Sequence, residues 1–409
     1  MKKYYFIVSL ITVLVCACNK KINTNNLYSI ETISFDMSKG KVPIAYDISH
    51  MIDTSYFEII PLETNDDCLI AEISNIYLFD NKIVIYDERA KGAYIFNRDG
   101  SYHAKVRALG QGPGEYPDFV NDVNASENFI GVLASPGIML YDYNGKFVKT
   151  ISHEERWGRN IFTFDEINYY LVNCWSRTWS MSTEGYYHLF HFDTKQNKLN
   201  SYIPFSKEEG DSNRGWSLNK YYSRYDSTAL IYISTIDTIY CLASTGEVSP
   251  QYLIDIRNKL PDDIKRGDGK TALTTAQQSG YEIGVKNIAV TPRYLFLKCM
   301  WGYAVYDKKE KKTIATAQVF HIPLFWNDIS FWVDFTSSDG KKIVTYLNGE
   351  YVFSWNRYIK EQKSQNLWKI GDGITPFQKE LIKTARNMKA EDDNPVLLIF
   401  KMKSEDERY

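Results

Sequence analysis

Cysteine is scarce in this chain and poorly placed for cross-linking. The 409 residues include 6 Cys; after Cys16 and Cys18 only Cys68, Cys174, Cys241 and Cys299 follow, far apart and never as C-x-x-C. That spacing offers neither a zinc knuckle nor a thioredoxin-like motif. Cys174, Cys241 and Cys299 lie in apolar runs (LVNCW, TIYCL, LFLKCMW) and read as small buried hydrophobes. Basic blocks are missing as well. The chain has 48 Lys and Arg against 50 Asp and Glu, a net charge of −2. Nucleic acid is thereby excluded as a partner, because phosphate binding needs clustered cations. No H-E-x-x-H, G-x-S-x-G or EF-hand loop occurs. The 6 His are scattered, and His188 and His191, three apart on a strand, point to opposite faces. No catalytic residue, metal site or cofactor is therefore nominated.

Aromatic side chains are plentiful: 15% of the chain, with 31 Tyr and 9 Trp, within a hydrophobic content of 44%. Such residues suit half-buried pleated strands, so the composition points to an all-β fold. The N-terminus reads as a targeting segment. Lys2 and Lys3 precede the apolar run Tyr4 to Val15, which is too short to span a bilayer comfortably. The run ends in Val15-Cys16-Ala17-Cys18, a lipobox-like sequence with cleavage expected before Cys18. Residues 1–17 are thus expected to be a lipoprotein signal peptide and Cys18 the lipidated residue. Residues 18–50 are expected to be a polar tether. The Asn19-Lys20-Lys21-Ile22-Asn23 that follows Cys18 carries no acid, so nothing chooses between the two sides of the outer membrane.

A degenerate repeat of about 40–50 residues organises the remainder, 51–409. Each copy holds four short apolar runs separated by turns. In the first these are Ile73 to Phe79, Lys82 to Tyr86, Ala93 to Phe96 and Tyr102 to Val106, with an Asp99-Gly100 turn that tolerates positive φ. The second runs Val120 to Asn124, Phe129 to Leu133, Ile138 to Tyr141 and Phe147 to Ile151. Later copies diverge. The sixth keeps Ile329 to Phe335 and Lys342 to Leu347, then gives way to a helical insertion at about 356–394. Thr375-Pro376 makes a helix start there. Val396 to Met402 is one more strand, and Tyr56 to Leu62 can supply the fourth. A last blade built from both termini closes the ring and removes open sheet edges. The expected fold is a six-bladed β-propeller closed by N- and C-terminal strands.

Leu109-Gly110-Gln111-Gly112-Pro113-Gly114-Glu115-Tyr116, the turn Tyr141-Asp142-Tyr143-Asn144-Gly145 and the ending Glu391-Asp392-Asp393-Asn394-Pro395-Val396 carry a resemblance. They look like the six-bladed propeller lipoproteins of Bacteroidetes, which are similar to NHL-repeat propellers. The resemblance implies a fold and a cell-envelope address rather than an activity. The Gly-Pro-Gly segment itself reads as a structural turn between blades; a phosphate loop would need a following helix and a Lys-Ser/Thr.

Two functional readings remain. In the first the propeller is a binding or scaffold module for a glycan, peptide or protein. Its second-to-third and blade-to-blade connections are long and rich in Trp and Arg. Trp175, Trp179, Trp216 and Trp301, with Arg107 and Arg177, are expected to form a ligand-contacting rim. In the second the protein is a channel-sited hydrolase or lactonase-like enzyme using polar inner-strand residues, for which Asn75, Asn121, Asp122, Asn124 and Asn287 are the candidates.

Overall fold

The computed structural model describes residues 30–38, 41–134, 137–152, 160–173, 181–182, 185–206, 222–233, 236–265, 269–316, 319–322, 329–331, 333–364, 375–390 and 392–403. Six antiparallel sheets are arranged as the blades of a propeller. Blade 1 consists of Asn75–Leu78, Lys82–Asp87, Gly92–Asn97 and Tyr102–Val106. Blade 2 consists of Val120–Ala125, Ile130–Ala134, Gly137–Tyr141 and Phe147–Ser152. Blade 3 runs from Asn160–Thr163 through Asn168–Val172 and Gly185–Asp193 to Lys198–Phe205. Blade 4 comprises Tyr222–Tyr225, Thr228–Ile233, Thr238–Ala243 and Val248–Ile256, and blade 5 Val285–Val290, Tyr294–Cys299, Tyr303–Asp307 and Lys312–Thr316.

Blade 6 closes the ring. Its order is Phe335–Thr336, Lys342–Leu347, Val396–Met402 and Ile52–Pro61. Leu398 stands opposite Thr345 on one side and Ile59 on the other. The C-terminal strand is therefore third in the blade and the N-terminal strand is its outer edge, as the sequence leads one to expect.

The middle strands read as near-continuous apolar runs because each blade is buried on both faces. In Lys82–Asp87, Ile83 and Ile85 pack into the core shared with blade 6, whereas Val84 and Tyr86 pack into the core shared with blade 2. Blade 2 does the same, with Ile130, Val132 and Ala134 facing blade 1 and Phe129 and Leu133 facing blade 3. Each neighbouring pair of blades is held by its own apolar cluster, so the core is a ring of wedges rather than one centre.

The tether expected over residues 18–50 does not extend that far. Glu31–Phe35 adds a fifth, parallel strand to the outer edge of blade 4, with Ile33 opposite Ile254. Ala45–Asp47 pairs in parallel with Val319–Ile322, which pairs in turn with Ile329–Phe331. The physical reason is alternation: in Glu-Thr-Ile-Ser-Phe, Ile33 and Phe35 turn inward while their neighbours stay outside. Ile329–Phe331 accordingly leaves blade 6, whose inner strand is only Phe335–Thr336.

The helical insertion begins earlier than 356. One helix spans Gly349–Ser364 and a second Pro376–Asn387. The second starts where Thr375-Pro376 predicts, with a capping box in which the Thr375 hydroxyl accepts from Gln378 N and the Gln378 side chain accepts from Thr375 N. Phe377, Leu381, Ile382 and Ala385 are buried, and all but Ile382 join the core of blades 5 and 6. A further helix, Gly269–Ser279, lies between blades 4 and 5 and buries Ala272 and Ala276 one turn apart. Among the described residues no helix is long and apolar enough to cross a membrane.

The Gly-Pro-Gly segment is the structural turn its composition implies. Gly114 has φ +79°, and a Cβ there would meet the Phe147 ring at 2.7 Å. The Glu115 carboxylate accepts from Gly112 N at 2.8 Å, and the fully buried Tyr116 donates its hydroxyl proton to the Lys91 carbonyl at 3.0 Å.

Candidate functional site

The inner strands converge on the propeller axis, where two tyrosines from opposite blades meet. Tyr77 of blade 1 and Tyr222 of blade 4 stand with their hydroxyls 3.0 Å apart. Each phenol has one proton, which fixes the direction of the network. Tyr77 donates to the Val123 carbonyl at 2.6 Å, so its oxygen must accept from Tyr222 and from Asn75 Nδ2, the latter at 2.6 Å. Tyr222 spends its proton on Tyr77 and accepts from Asn124 Nδ2 at 3.0 Å. Burial raises the pKa of both phenols, so both stay protonated.

This direction has a consequence for the asparagines. Both Asn75 and Asn124 present their NH2 to a phenol, so neither amide can flip without losing a bond. Their Oδ1 atoms are left buried without a partner, on side chains of residues only 5% and 2% exposed. A buried polar atom without a partner costs about 1–3 kcal/mol unless water or a ligand meets it.

A cavity of about 50 Å³ lies against this tyrosine bridge. Asn75, Asn124, Tyr77 and Tyr222 form its floor; Phe162, Ser223, Arg224 and Thr336 are among its walls. Leu78, Phe79, Thr163, Arg224, Ser337 and Ser338 stand at the C-terminal ends of the inner strands, beside the short first-to-second turns. The cavity therefore reaches toward the short-turn side. Among the described residues its lining contains no Asp, Glu or His.

Asp122 is absent from that lining and bridges blades 2 and 3. Its Oδ2 accepts from Ile161 N at 3.0 Å and from Asn160 Nδ2 at 3.3 Å. Burial pushes its carboxyl up to about 7 despite these donors. A register shift between Val120 and Asp122 places both Asn121 and Asp122 near the axis. Asn287 donates to the Asp334 carbonyl at 2.9 Å, linking blade 5 to the segment leading into blade 6. The five polar residues foreseen on inner strands thus separate: Asn75 and Asn124 line the cavity, Asp122 and Asn287 tie blades together, and Asn121 sits at the register shift of its strand.

Of the expected rim, Trp175, Trp179, Trp216 and Arg177 lie outside the described residues, as does Cys18, the expected lipidation site. Trp301 sits in the second-to-third connection of blade 5. Its Nε1 donates to the Tyr281 carbonyl at 2.8 Å, its backbone N–H donates to Glu282 at 3.1 Å, and it remains 37% exposed. Arg107 follows the outer strand of blade 1 and donates from Nε to the Ala90 carbonyl at 2.9 Å. Trp301 thus lies in a second-to-third connection and Arg107 in a blade-to-blade connection, on blades that are not neighbours. His188 and His191 are occupied separately: His188 stacks on Phe205 with ring centroids at 4.4 Å, and His191 stacks on Tyr170 at 4.7 Å.

Sequence reading missed Tyr222–Tyr225, and with it Arg224, because four residues of YSRY carry no apolar run. The positive φ of Asp226, +49°, marks the turn that follows and is the one local signal.

A family model described as a domain of unknown function, DUF4934, matches residues 32–401. No curated protein matches the chain. Among solved structures, an exported protein of Bacteroides fragilis is 18% identical, covers 91% of this chain and 100% of its own, and superposes with a TM-score of 0.66. A member of the DUF4221 family from Bacteroides vulgatus is 11% identical over 85% of this chain and 97% of its own, at a TM-score of 0.46. The first of these shares the propeller fold.

Proposed function

The chain belongs to the DUF4934 family over most of its length, and from that premise we propose that it is a ligand-binding propeller held at the cell envelope by a lipid on Cys18. The observation that carries the binding role is the axial cavity of about 50 Å³, whose lining includes the polar side chains of Asn75, Asn124 and Arg224. Such side chains orient a polar ligand, as the few polar groups of a pocket usually do. The channel-sited hydrolase reading has less support, because general acid–base or metal chemistry needs converging titratable groups and, among the described residues, this lining holds no Asp, Glu or His. The outer-membrane address rests on the lipobox and on the likeness to an exported Bacteroides protein. It carries the NHL-like lipoprotein resemblance with it.

A second binding surface on the long-loop side is supported by Trp301, whose indole edge is tethered while its ring stays 37% exposed. With Trp175, Trp179, Trp216, Arg107 and Arg177 it would make the rim that suits a glycan, peptide or protein. The axial site is tested by thermal shift, with small polar molecules screened against the mature protein and against Ser338→Phe, which fills the cavity mouth. A ligand at 100 times its Kd should stabilise the wild type by about 2.7 kcal/mol and the variant far less. Equal shifts in both would place binding elsewhere.

A further inference from the structure

We propose that the axial cavity receives the carboxylate end of a hydroxylated acid, of the kind a terminal uronic acid residue presents; the proposal rests on the axial binding role above. Three features converge on that chemistry.

The first is Arg224. It lines the cavity wall, partly buried. Its Nε donates to the Asp226 carbonyl at 3.3 Å and its guanidinium lies 5.5 Å from the centre of the Phe164 ring. Glu127, Asp165 and Asp226 act on it at longer range, yet among the described residues none forms an ion pair with it. A guanidinium taken partly out of water gains from a carboxylate that meets its planar fork.

The second is the pair of lining asparagines, Asn75 and Asn124, whose Oδ1 atoms have no partner and are closed to solvent. The network of Tyr77 and Tyr222 has no donor left to give them. A small turn of either amide would bring its oxygen to a sugar hydroxyl, which donates without adding charge. An ammonium group would also donate, but it would enter a lining without any carboxylate and beside Arg224. Hydroxyls are therefore favoured over an amino acid's ammonium.

The third is size. A cavity of about 50 Å³ is well below the roughly 150 Å³ that accommodates benzene. Only the end of a ligand enters, and the remainder stays at the mouth, near Ser337 and Ser338. Phe162 offers an apolar wall for the ring carbons that follow.

The test is titration calorimetry on the mature chain with glucuronate, galacturonate, glucuronamide, glucose and alanine. At least one uronate should bind, with glucose and the neutral glucuronamide weaker by about tenfold or more. Arg224→Ala should lose that preference and Arg224→Lys should keep part of it. The amide comparison needs no variant, so it decides even if Arg224→Ala misfolds. Glucuronamide or glucose binding as tightly as the uronates, alanine binding more tightly, or no uronate binding up to about 10 mM would each overturn the proposal. A neutral probe blocked by Ser338→Phe would end the carboxylate assignment and leave the axial site standing. Uronate binding that survives both Ser338→Phe and Arg224→Ala would end the axial site itself.

Discussion

Asp122 gives a measurable pH signature. Its carboxyl is fully buried against blades 2 and 3, and burial lifts its pKa from the ordinary 3.8 to about 7. The folded protein therefore binds this proton across a pH window in which the unfolded chain has released it. Stability from this group falls as pH rises from about 4 to about 7 and is flat above, since both states are then ionised. At about 1.4 kcal/mol per pH unit, the whole window is worth roughly 4 kcal/mol. Asp122→Asn removes the titration while keeping the shape. The new amide oxygen can still accept from Ile161 N, but its NH2 then faces the Val123 N–H that Asp122 Oδ1 accepts from at 2.9 Å, a constant loss that does not vary with pH. Urea denaturation of both proteins from pH 4.5 to pH 8 is the assay. Glu282 is lifted to about 7 as well, by burial, but it contributes the same slope to both proteins and cancels in the difference. The stability of the wild type relative to the variant should fall as pH rises from about 4.5 to about 7 and level off above, on top of a constant offset from the lost Val123 bond. Parallel curves would refute the reasoning and mean that Asp122 stays ionised in the fold.

Leu398 is fully buried in the closing blade, so Leu398→Ala should cost about 2–5 kcal/mol and lower one melting transition common to all probes. Removal of residues 396–409 should abolish that transition, and an unchanged melt would show that the ring closes without this strand. Labelled fatty acid should enter the wild type and not Cys18→Ala; equal labelling would remove the lipid anchor from the account. If the long-loop rim binds, Trp175→Ala or Trp216→Ala should weaken the best glycan or peptide found by about 2 kcal/mol or more with little change in melting temperature. Unchanged affinity with a large stability loss would make these residues loop core.

Much of the architecture is visible in sequence because it is written in periodicity. The strands of blades 1 and 2 are apolar runs set off by Asp-Gly or Asn-Gly turns, and their observed bounds differ from the expected ones by only a few residues. Closure by both termini follows from the shortage of strands in the sixth repeat. Elements that depend on docking are harder to read. Glu31–Phe35 is only five residues long and gains its order from the blade 4 edge, where Glu31 also accepts from the Tyr306 hydroxyl and pairs with Lys311 at 2.6 Å. Helix Gly269–Ser279 has threonines and glutamines where a strong helix former is expected, and it is held by Ala272 and Ala276 against Leu260 and Ile283.

The site was less legible than the fold for a geometric reason. Asn75 and Asn124 can be placed on inner strands from the repeat, but nothing in the repeat says which inner residues meet across the axis. That depends on how closely opposite blades approach. Here they approach until Tyr77 and Tyr222 touch, while Ser223 and Thr336 come to 3.4 Å between blades 4 and 6. Two consequences follow from the same contact. The ring is tied through its centre as well as around its rim. The hydrogen bonds that join blade 1 to blade 4 also fix the orientation of the two asparagine amides beside the axial cavity, since Asn75 and Asn124 each spend an NH2 proton on a phenol.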